Sequence, residues 1–236
     1  MPTTHEGFSQ RLLRLKADLA AQGGRVQAMY EDACEAVFAG DEGAARSVID
    51  RDDEIDRADV AIEKASVTLL ADATNDGAAL DAAQLRAVLT VVKVNNELER
   101  AADAAVVVAE CVPAIRPFKD SIPQTFRVLT NSVVGILRDV NRAFERDDAA
   151  LARLVLQSED TVEAFKNGLL REAEERVAAG TMPVDLAFVL HELANQCERI
   201  ADHATNIAEQ VIYLASGAIV RHTDAGWVDL PDIARN

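Results

Sequence analysis

The sequence contains few of the residues that interrupt helices, and few aromatic residues. Its 236 residues include six prolines and eleven glycines, and aromatic side chains make up only 4%. The three cysteines, Cys34, Cys111 and Cys197, are odd in number and form no Cys-x-x-Cys pair. This cysteine usage argues against a secreted disulfide framework and predicts reduced thiols in a cytoplasmic protein.

Long hydrophobic runs and an excess of positive charge are also missing. No apolar run approaches the ~20 residues of a membrane-spanning helix, and the first residues lack a signal-peptide pattern, so we expect membrane contact only through partners. Lys and Arg number 24 against 40 Asp and Glu, which gives a formal net charge of −16. A surface this acidic repels phosphate backbones, so we expect no nucleic-acid binding. It favours cations, or a partner with a basic face.

The hydrophobic residues, 49% of the chain, recur at spacings of three and four over long stretches, which is typical of helices. Gly23 and Gly24 allow a kink in the first helix. Asp81 and Gln84 form a capping box at the start of the third. The pattern predicts an all-α protein with six helices, at about residues 5–38, 42–73, 81–112, 121–146, 148–179 and 183–216.

The chain divides into two halves that repeat one plan. The segment Pro113–Pro117 cannot continue a helix and is the expected boundary. The run Glu99–Glu110 aligns without a gap with Glu198–Glu209, ninety-nine residues further on. We therefore predict a tandem pair of antiparallel three-helix bundles. The first bundle covers residues 5–112, the second covers 120–216, and 217–236 form an irregular, flexible tail.

Carboxylates occur in rows on four of the predicted helices. Helix positions four residues apart lie on one face, and these rows lie opposite the apolar stripes. In the first half the rows contain Asp52, Asp56, Asp59 and Glu63, then Glu99, Asp103 and Glu110. In the second half they contain Glu159 and Glu163, followed by Lys166 and Leu170, then Glu198, Asp202 and Glu209. We expect these carboxylates to point away from the core.

These rows have three interpretations. The first is an oxygen-rich metal site in each half, because like charges at this spacing repel and few cations relieve them. The second is a metal-free helical scaffold with a solvated acidic face. The third is a surface metalloenzyme such as a phosphatase, for which the sequence offers no general base. His191 and His203 are weaker ligand candidates.

Residues 198–214, with the sequence ERIADHATNIAEQVIYL, resemble the signature helix of the PhoU family, and the tandem order of both halves is similar to that family. The resemblance implies a cytoplasmic, oligomeric adaptor without enzymatic activity, for which we expect a homodimer. It implies partners: the ATPase subunit of a phosphate ABC transporter and a membrane sensor histidine kinase. Such an adaptor represses phosphate uptake and the phosphate-starvation response when phosphate is plentiful.

The resemblance also implies clusters of divalent or trivalent metal ions (iron, zinc, manganese or magnesium). Carried over by position, the implied ligands are Asp52, Asp56, Glu99 and Asp103 in the first half and Glu159, Glu163, Glu198 and Asp202 in the second. The sequence departs from the family pattern where Ala104 and Val107 stand at the positions of His203 and Asn206. Glu163 replaces a shorter Asp, so the two halves need not bind metal equally.

Overall fold

The computed structural model describes residues 5–223 and 226–230, with side chains from residue 7 to residue 220. Almost all of this part is helical, which confirms the predicted all-α fold. The α-helices are α1 (His5–Ala39), α2 (Glu42–Ile49), α3 (Asp52–Asn75), α4 (Ala82–Glu110), α5 (Val112–Ile115), α6 (Gln124–Arg146), α7 (Ala149–Leu156), α8 (Glu159–Ala178) and α9 (Val184–Ser216). Two short strands, β1 (Ile219–Thr223) and β2 (Gly226–Leu230), follow α9.

The long helices form two three-helix groups that share one core. Helices α1, α3 and α4 pack together, as do α6, α8 and α9. Helices α4 and α9 also pack along each other, and α1 contacts α6. The buried apolar side chains therefore form one continuous cluster rather than two separate ones. Both α4 and α9 present one face to this shared core and leave another for the carboxylates.

Each half breaks one of the predicted long helices at the same place. The second predicted helix is divided into α2 and α3, and the fifth is divided into α7 and α8. Helices α2 and α7 have eight residues each and are capped by the carboxylates of Asp41 and Asp148. The breaks at residues 50–51 and 157–158 contain no Gly or Pro, so the sequence carried no signal for them. The equivalent breaks support the internal repeat.

Helix α4 ends at Glu110, before the predicted boundary at Pro113–Pro117, and the connection between the halves consists of short helices. Helix α5 is followed by a 3₁₀-helix over Arg116–Ser121. Pro113 and Pro117 each lie in the first turn of one of these short helices. A first-turn proline is tolerated because that amide has no intrahelical partner. The prolines therefore lie at the starts of new short helices and do not continue α4.

Helix α1 runs without a break through Gly23 and Gly24. Gly23 instead permits a close approach of α6, where the Asn141 Nδ2 atom donates to the Gly23 carbonyl oxygen at 2.9 Å. A Cβ atom on Gly23 would lie 2.4 Å from Asn141 Oδ1. Gly24 has nothing within 4 Å of the same position. Only at the first glycine of the pair does a neighbouring side chain occupy the space of a methyl group.

Residues 219–223 and 226–230 are not an irregular tail. Strand β1 pairs with β2 in antiparallel register, from Ile219 with Leu230 to Thr223 with Gly226. Val220 is buried, and β1 contacts α9. Residues 224–225 and 231–236 of the predicted tail lie outside the described residues.

The structure bears on the cysteines and on membrane-spanning helices. Cys34, Cys111 and Cys197 are not in disulfide bonds, and Cys34 and Cys197 are buried among core side chains. The Tyr30 hydroxyl lies 3.1 Å from Cys197 Sγ. In the part of the chain that the structure describes, no helix combines the length and apolar character needed to cross a membrane.

Candidate metal centres

The four carboxylates predicted in the first half lie together on the surface formed by α3 and α4. Partial burial, followed by the charges of Asp56 and Asp103, raises the pKa of Asp52. Partial burial, followed by the charges of Asp103, Asp59 and Asp56, raises the pKa of Glu99. Each helix thus affects the ionisation of acids on the other, so Asp52, Asp56, Glu99 and Asp103 form one electrostatic cluster.

Two further acids, Asp59 and Glu63, extend this first cluster, and Asn95 binds one of them. Asp59 has a raised pKa because of partial burial and the charges of Glu63 and Asp56, and a hydrogen bond from Asn95 opposes the rise. The buried Asn95 donates its amide to Asp59 Oδ1 at 2.6 Å and to the Asp59 carbonyl oxygen at 3.0 Å. The sequence analysis did not identify Asn95. Its signal was an amide directly after Val94 on the apolar stripe of α4.

The first cluster has no cationic partner within the side chains described here. No ion pair to Lys, Arg or His involves any of its acids. The charge of Arg100 favours the ionised form of Glu99 without forming an ion pair. Here the expectation of few relieving cations is confirmed. From here on, the first cluster means Asp52, Asp56, Asp59, Glu63, Glu99 and Asp103.

In the second half the structure brings three of the four predicted acids together. Partial loss of hydration, followed by the charges of Glu198 and Glu159, raises the pKa of Asp202 to about 6. These three acids, from α8 and α9, are called the second cluster below. Glu163 is exposed on α8, and no hydrogen bond or ion pair in the described part joins it to the second cluster.

A lysine lies inside the second cluster. Lys166 Nζ on α8 forms an ion pair with Glu198 Oε2 on α9. The expectation that few cations relieve the rows is therefore wrong for this half. The sequence analysis looked for Lys or Arg along the same helix, whereas Lys166 reaches Glu198 from the neighbouring helix. The departure at Lys166 from the acidic row was the available signal.

His203 is engaged between the two bundles, where α4 meets α9. Its Nδ1 atom lies 2.8 Å from Glu97 Oε2, and Asn206 Nδ2 donates to the same oxygen at 3.0 Å. Burial alone would raise the pKa of Glu97, but these two contacts outweigh it and lower that pKa. These contacts connect the two halves. His191, the other histidine candidate, is exposed.

The rows on α4 and α9 differ at their C-terminal acids, and only the acid on α4 agrees with the prediction. Glu110 is exposed at the end of α4, as expected. Glu209 is buried, although it was expected on the outer face. Every residue from Ile207 to Ile212 is buried. The exposed acidic face of α9 therefore ends before Glu209.

The first cluster has the ligand chemistry that a hard cation prefers, but its side chains do not converge on one point. Among the described residues, no group of three or more His, Cys, Asp or Glu side chains is arranged to hold a metal ion. The first cluster offers only carboxylate oxygens, the ligands of magnesium, manganese and ferric iron. Partial burial, followed by the neighbouring negative charges, raises the pKa values of Asp52, Asp59 and Glu99, and a cation would relieve the repulsion. Binding there requires these partly exposed side chains to rotate toward a common point.

The sequence matches the family model of the PhoU domain twice, over residues 19–112 and 126–211. The chain belongs to the PhoU family. One match contains the first cluster and the other contains the second. A PhoU homologue of Pseudomonas aeruginosa, named as a phosphate-specific transport system accessory protein, is 32% identical, over 91% of this chain and 88% of its own. PhoU homolog 1 of Thermotoga maritima is 29% identical, over 90% of each chain.

The fold agrees with the PhoU assignment. The crystal structure of PhoU from Pseudomonas aeruginosa superposes with a TM-score of 0.80 and 30% sequence identity. The superposition covers 89% of this chain and 99% of that one. Similarity therefore extends over nearly the whole PhoU molecule and includes both carboxylate-bearing helix pairs.

Proposed function

We propose that this PhoU-family protein is a cytoplasmic regulatory adaptor of phosphate homeostasis. It links the ATPase subunit of a phosphate ABC transporter to a sensor histidine kinase and represses phosphate uptake and the starvation response when phosphate is plentiful. The observation that carries the proposal is the double PhoU match, together with relatives named as phosphate-specific transport system accessory proteins. The adaptor acts as a homodimer and without catalysis.

The second part of the proposal is that the first cluster holds divalent or trivalent metal ions. Asp52, Asp56, Glu99 and Asp103 supply the ligands, and the metal supplies positive charge on this surface. The support is the concentration of carboxylates that form no ion pair among the described side chains. Two of them, Asp52 and Glu99, have pKa values raised by partial burial and then by the neighbouring negative charges. Neutralising them would hold α3 against α4 and present a surface of lower charge to a partner.

The chain's own residues act through binding rather than chemistry. The bundles offer long exposed helix faces, and a partner that binds one of two conformations shifts the population between them. Contacts such as the one between Glu97 and His203 connect α4 with α9 and so connect the two carboxylate surfaces. This connection gives metal occupancy on one bundle a route to affect a partner on the other.

A metal-free scaffold is the competing function. It is favoured by one observation, namely that the described side chains are not arranged to hold a metal ion. A scaffold requires no neutralising ion because each acid points into water. It would keep its partners whether or not the acids were present.

Affinity capture from cells grown with high and low phosphate tests both parts. We expect the tagged protein to recover the transporter ATPase or the kinase, with the amount depending on phosphate, and to carry metal by elemental analysis. The quadruple change Asp52→Asn, Asp56→Asn, Glu99→Gln and Asp103→Asn should lose the metal. The control Glu110→Gln, at an exposed acid outside the first cluster, should keep it.

The outcomes separate the two functions. Capture of neither partner under both conditions contradicts the adaptor. Capture of a partner by a metal-free wild-type protein retains the adaptor and contradicts the metal site.

A further inference from the structure

The two carboxylate clusters occupy equivalent places but differ at two positions of the rows on α3 and α8. Asp52 in α3 corresponds to Glu159 in α8, one hundred and seven residues later. At the same spacing, Asp59 corresponds to Lys166, and Glu63 corresponds to Leu170. The second half therefore has a cation and an apolar side chain where the first half has two acids. The rows on α4 and α9 have the same acids at equivalent positions.

The lysine is held within the second cluster rather than displayed to solvent. Its side chain is only 15% exposed and that of Glu198 is 35% exposed, so the ion pair is partly shielded from water. The ammonium group also lies close enough to Asp202 to favour its ionised form. No comparable ammonium or guanidinium group forms an ion pair in the first cluster, within the described side chains.

A metal ion at the second cluster would have to compete with this ammonium group. Binding through Glu198 would break a partly buried ion pair and leave the Lys166 charge without its partner. It would also place a multiply charged cation beside that charge, where repulsion is weakly screened. Leu170 further removes a carboxylate that the first half retains as Glu63. Both differences lower the affinity of the second half relative to the first.

We infer that Lys166 is the built-in counter-cation of the second cluster, so that this protein binds metal ions in the first cluster only. The inference rests on the proposed metal site in the first half. It assigns different tasks to two halves that share one fold. The charge of the first cluster is offset by an exchangeable ion, and that of the second is partly offset by a permanent side-chain cation.

Equilibrium dialysis against Mn²⁺, with elemental analysis of the ions bound per chain, tests the inference. In the wild-type protein, Glu99→Gln should reduce the bound Mn²⁺ strongly, while the matched change Glu198→Gln should leave it unchanged. Exchanging the residue types at the equivalent positions 59 and 166 should change the metal binding of each half in opposite directions. Lys166→Asp should raise bound Mn²⁺ up to about twofold, because it replaces the competing ammonium group with a carboxylate, and Asp59→Lys should lower it.

Further variants keep the test decisive. Lys166→Gln, a neutral side chain of similar reach, should also gain Mn²⁺, and adding Glu198→Gln should remove the gain. Circular dichroism and thermal melting establish that each variant is folded. Equal losses from Glu99→Gln and Glu198→Gln in the wild-type background would overturn the inference and leave the proposed metal function intact. A wild-type protein that binds no Mn²⁺ would overturn both.

Discussion

Carboxylates that face one another across neighbouring helices set the chemistry of this protein at the residue scale. Burial and like charges raise the pKa values of Asp52, Asp59 and Glu99 in the first half. Asp202 has the same combination in the second half. An acid whose pKa is raised in the folded state opposes folding at neutral pH. The metal-free protein therefore retains electrostatic strain at both clusters, which a counter-cation or a proton relieves.

Asp202 gives this strain a definite pH window. Its pKa of about 6 in the folded protein lies above the ordinary value of 3.8, so the folded state binds the proton more tightly. The stability contributed by Asp202 therefore falls as pH rises from about 4 to about 6, and its cost is complete above that range. After chelation, Asp202→Asn should melt at a higher temperature than the wild type at pH 7, with a smaller difference at pH 5. A difference in melting temperature between Asp202→Asn and the wild type that is the same at pH 5 and pH 7 would contradict the raised pKa of Asp202.

At the element scale, helices meet through specific close contacts as well as through apolar stripes. The approach of α1 to α6 depends on Gly23, whose carbonyl oxygen accepts a hydrogen bond from Asn141. Lys16 on α1 also forms an ion pair with Asp147, the residue that ends α6 with φ of 51°. These contacts join the interior of α1 to the C-terminal end of α6.

The neighbouring glycines of α1 provide a matched test of this packing. Gly23→Ala places a methyl group against Asn141 Oδ1 and should lower the free energy of unfolding by about 1–3 kcal/mol. Gly24→Ala meets no neighbouring atom and should raise it by about 0.5–1 kcal/mol through helix propensity. Urea denaturation of both variants measures the pair. Equal effects of the same sign would show that α6 does not approach α1 as described.

The elements differ in how far the sequence could predict them. Apolar spacing and the capping box at Asp81 identified the long helices, and the box is present with both of its hydrogen bonds. The breaks at residues 50–51 and 157–158 could not be predicted, because Asp50 and Gln157 keep right-handed helical backbone angles and neither break contains Gly or Pro. The pair of Lys166 with Glu198 was missed for a similar reason, since it depends on which helices are neighbours.

At the scale of the whole molecule, the two halves are one packed unit with two unequal surfaces. Helices α4 and α9 join the bundles through a common core, and Glu97, His203 and Asn206 add polar contacts at that junction. The repeat was readable from the sequence as two aligned rows of acids. Lys166 and Leu170 marked a difference between the rows in the sequence, but the ion pair of Lys166 with Glu198 could not be read there, because it depends on which helices are neighbours. This arrangement suits an adaptor in which one surface exchanges its counter-ion and the other does not.

The most direct test of the proposed regulatory function is the expression of phosphate-starvation genes in cells that lack this protein. We predict that, with phosphate plentiful, deletion switches these genes on and increases phosphate uptake. Restoring the wild-type chain should repress both again, with Glu110→Gln behaving as wild type. Starvation genes that stay silent in the deletion strain under plentiful phosphate would contradict the account.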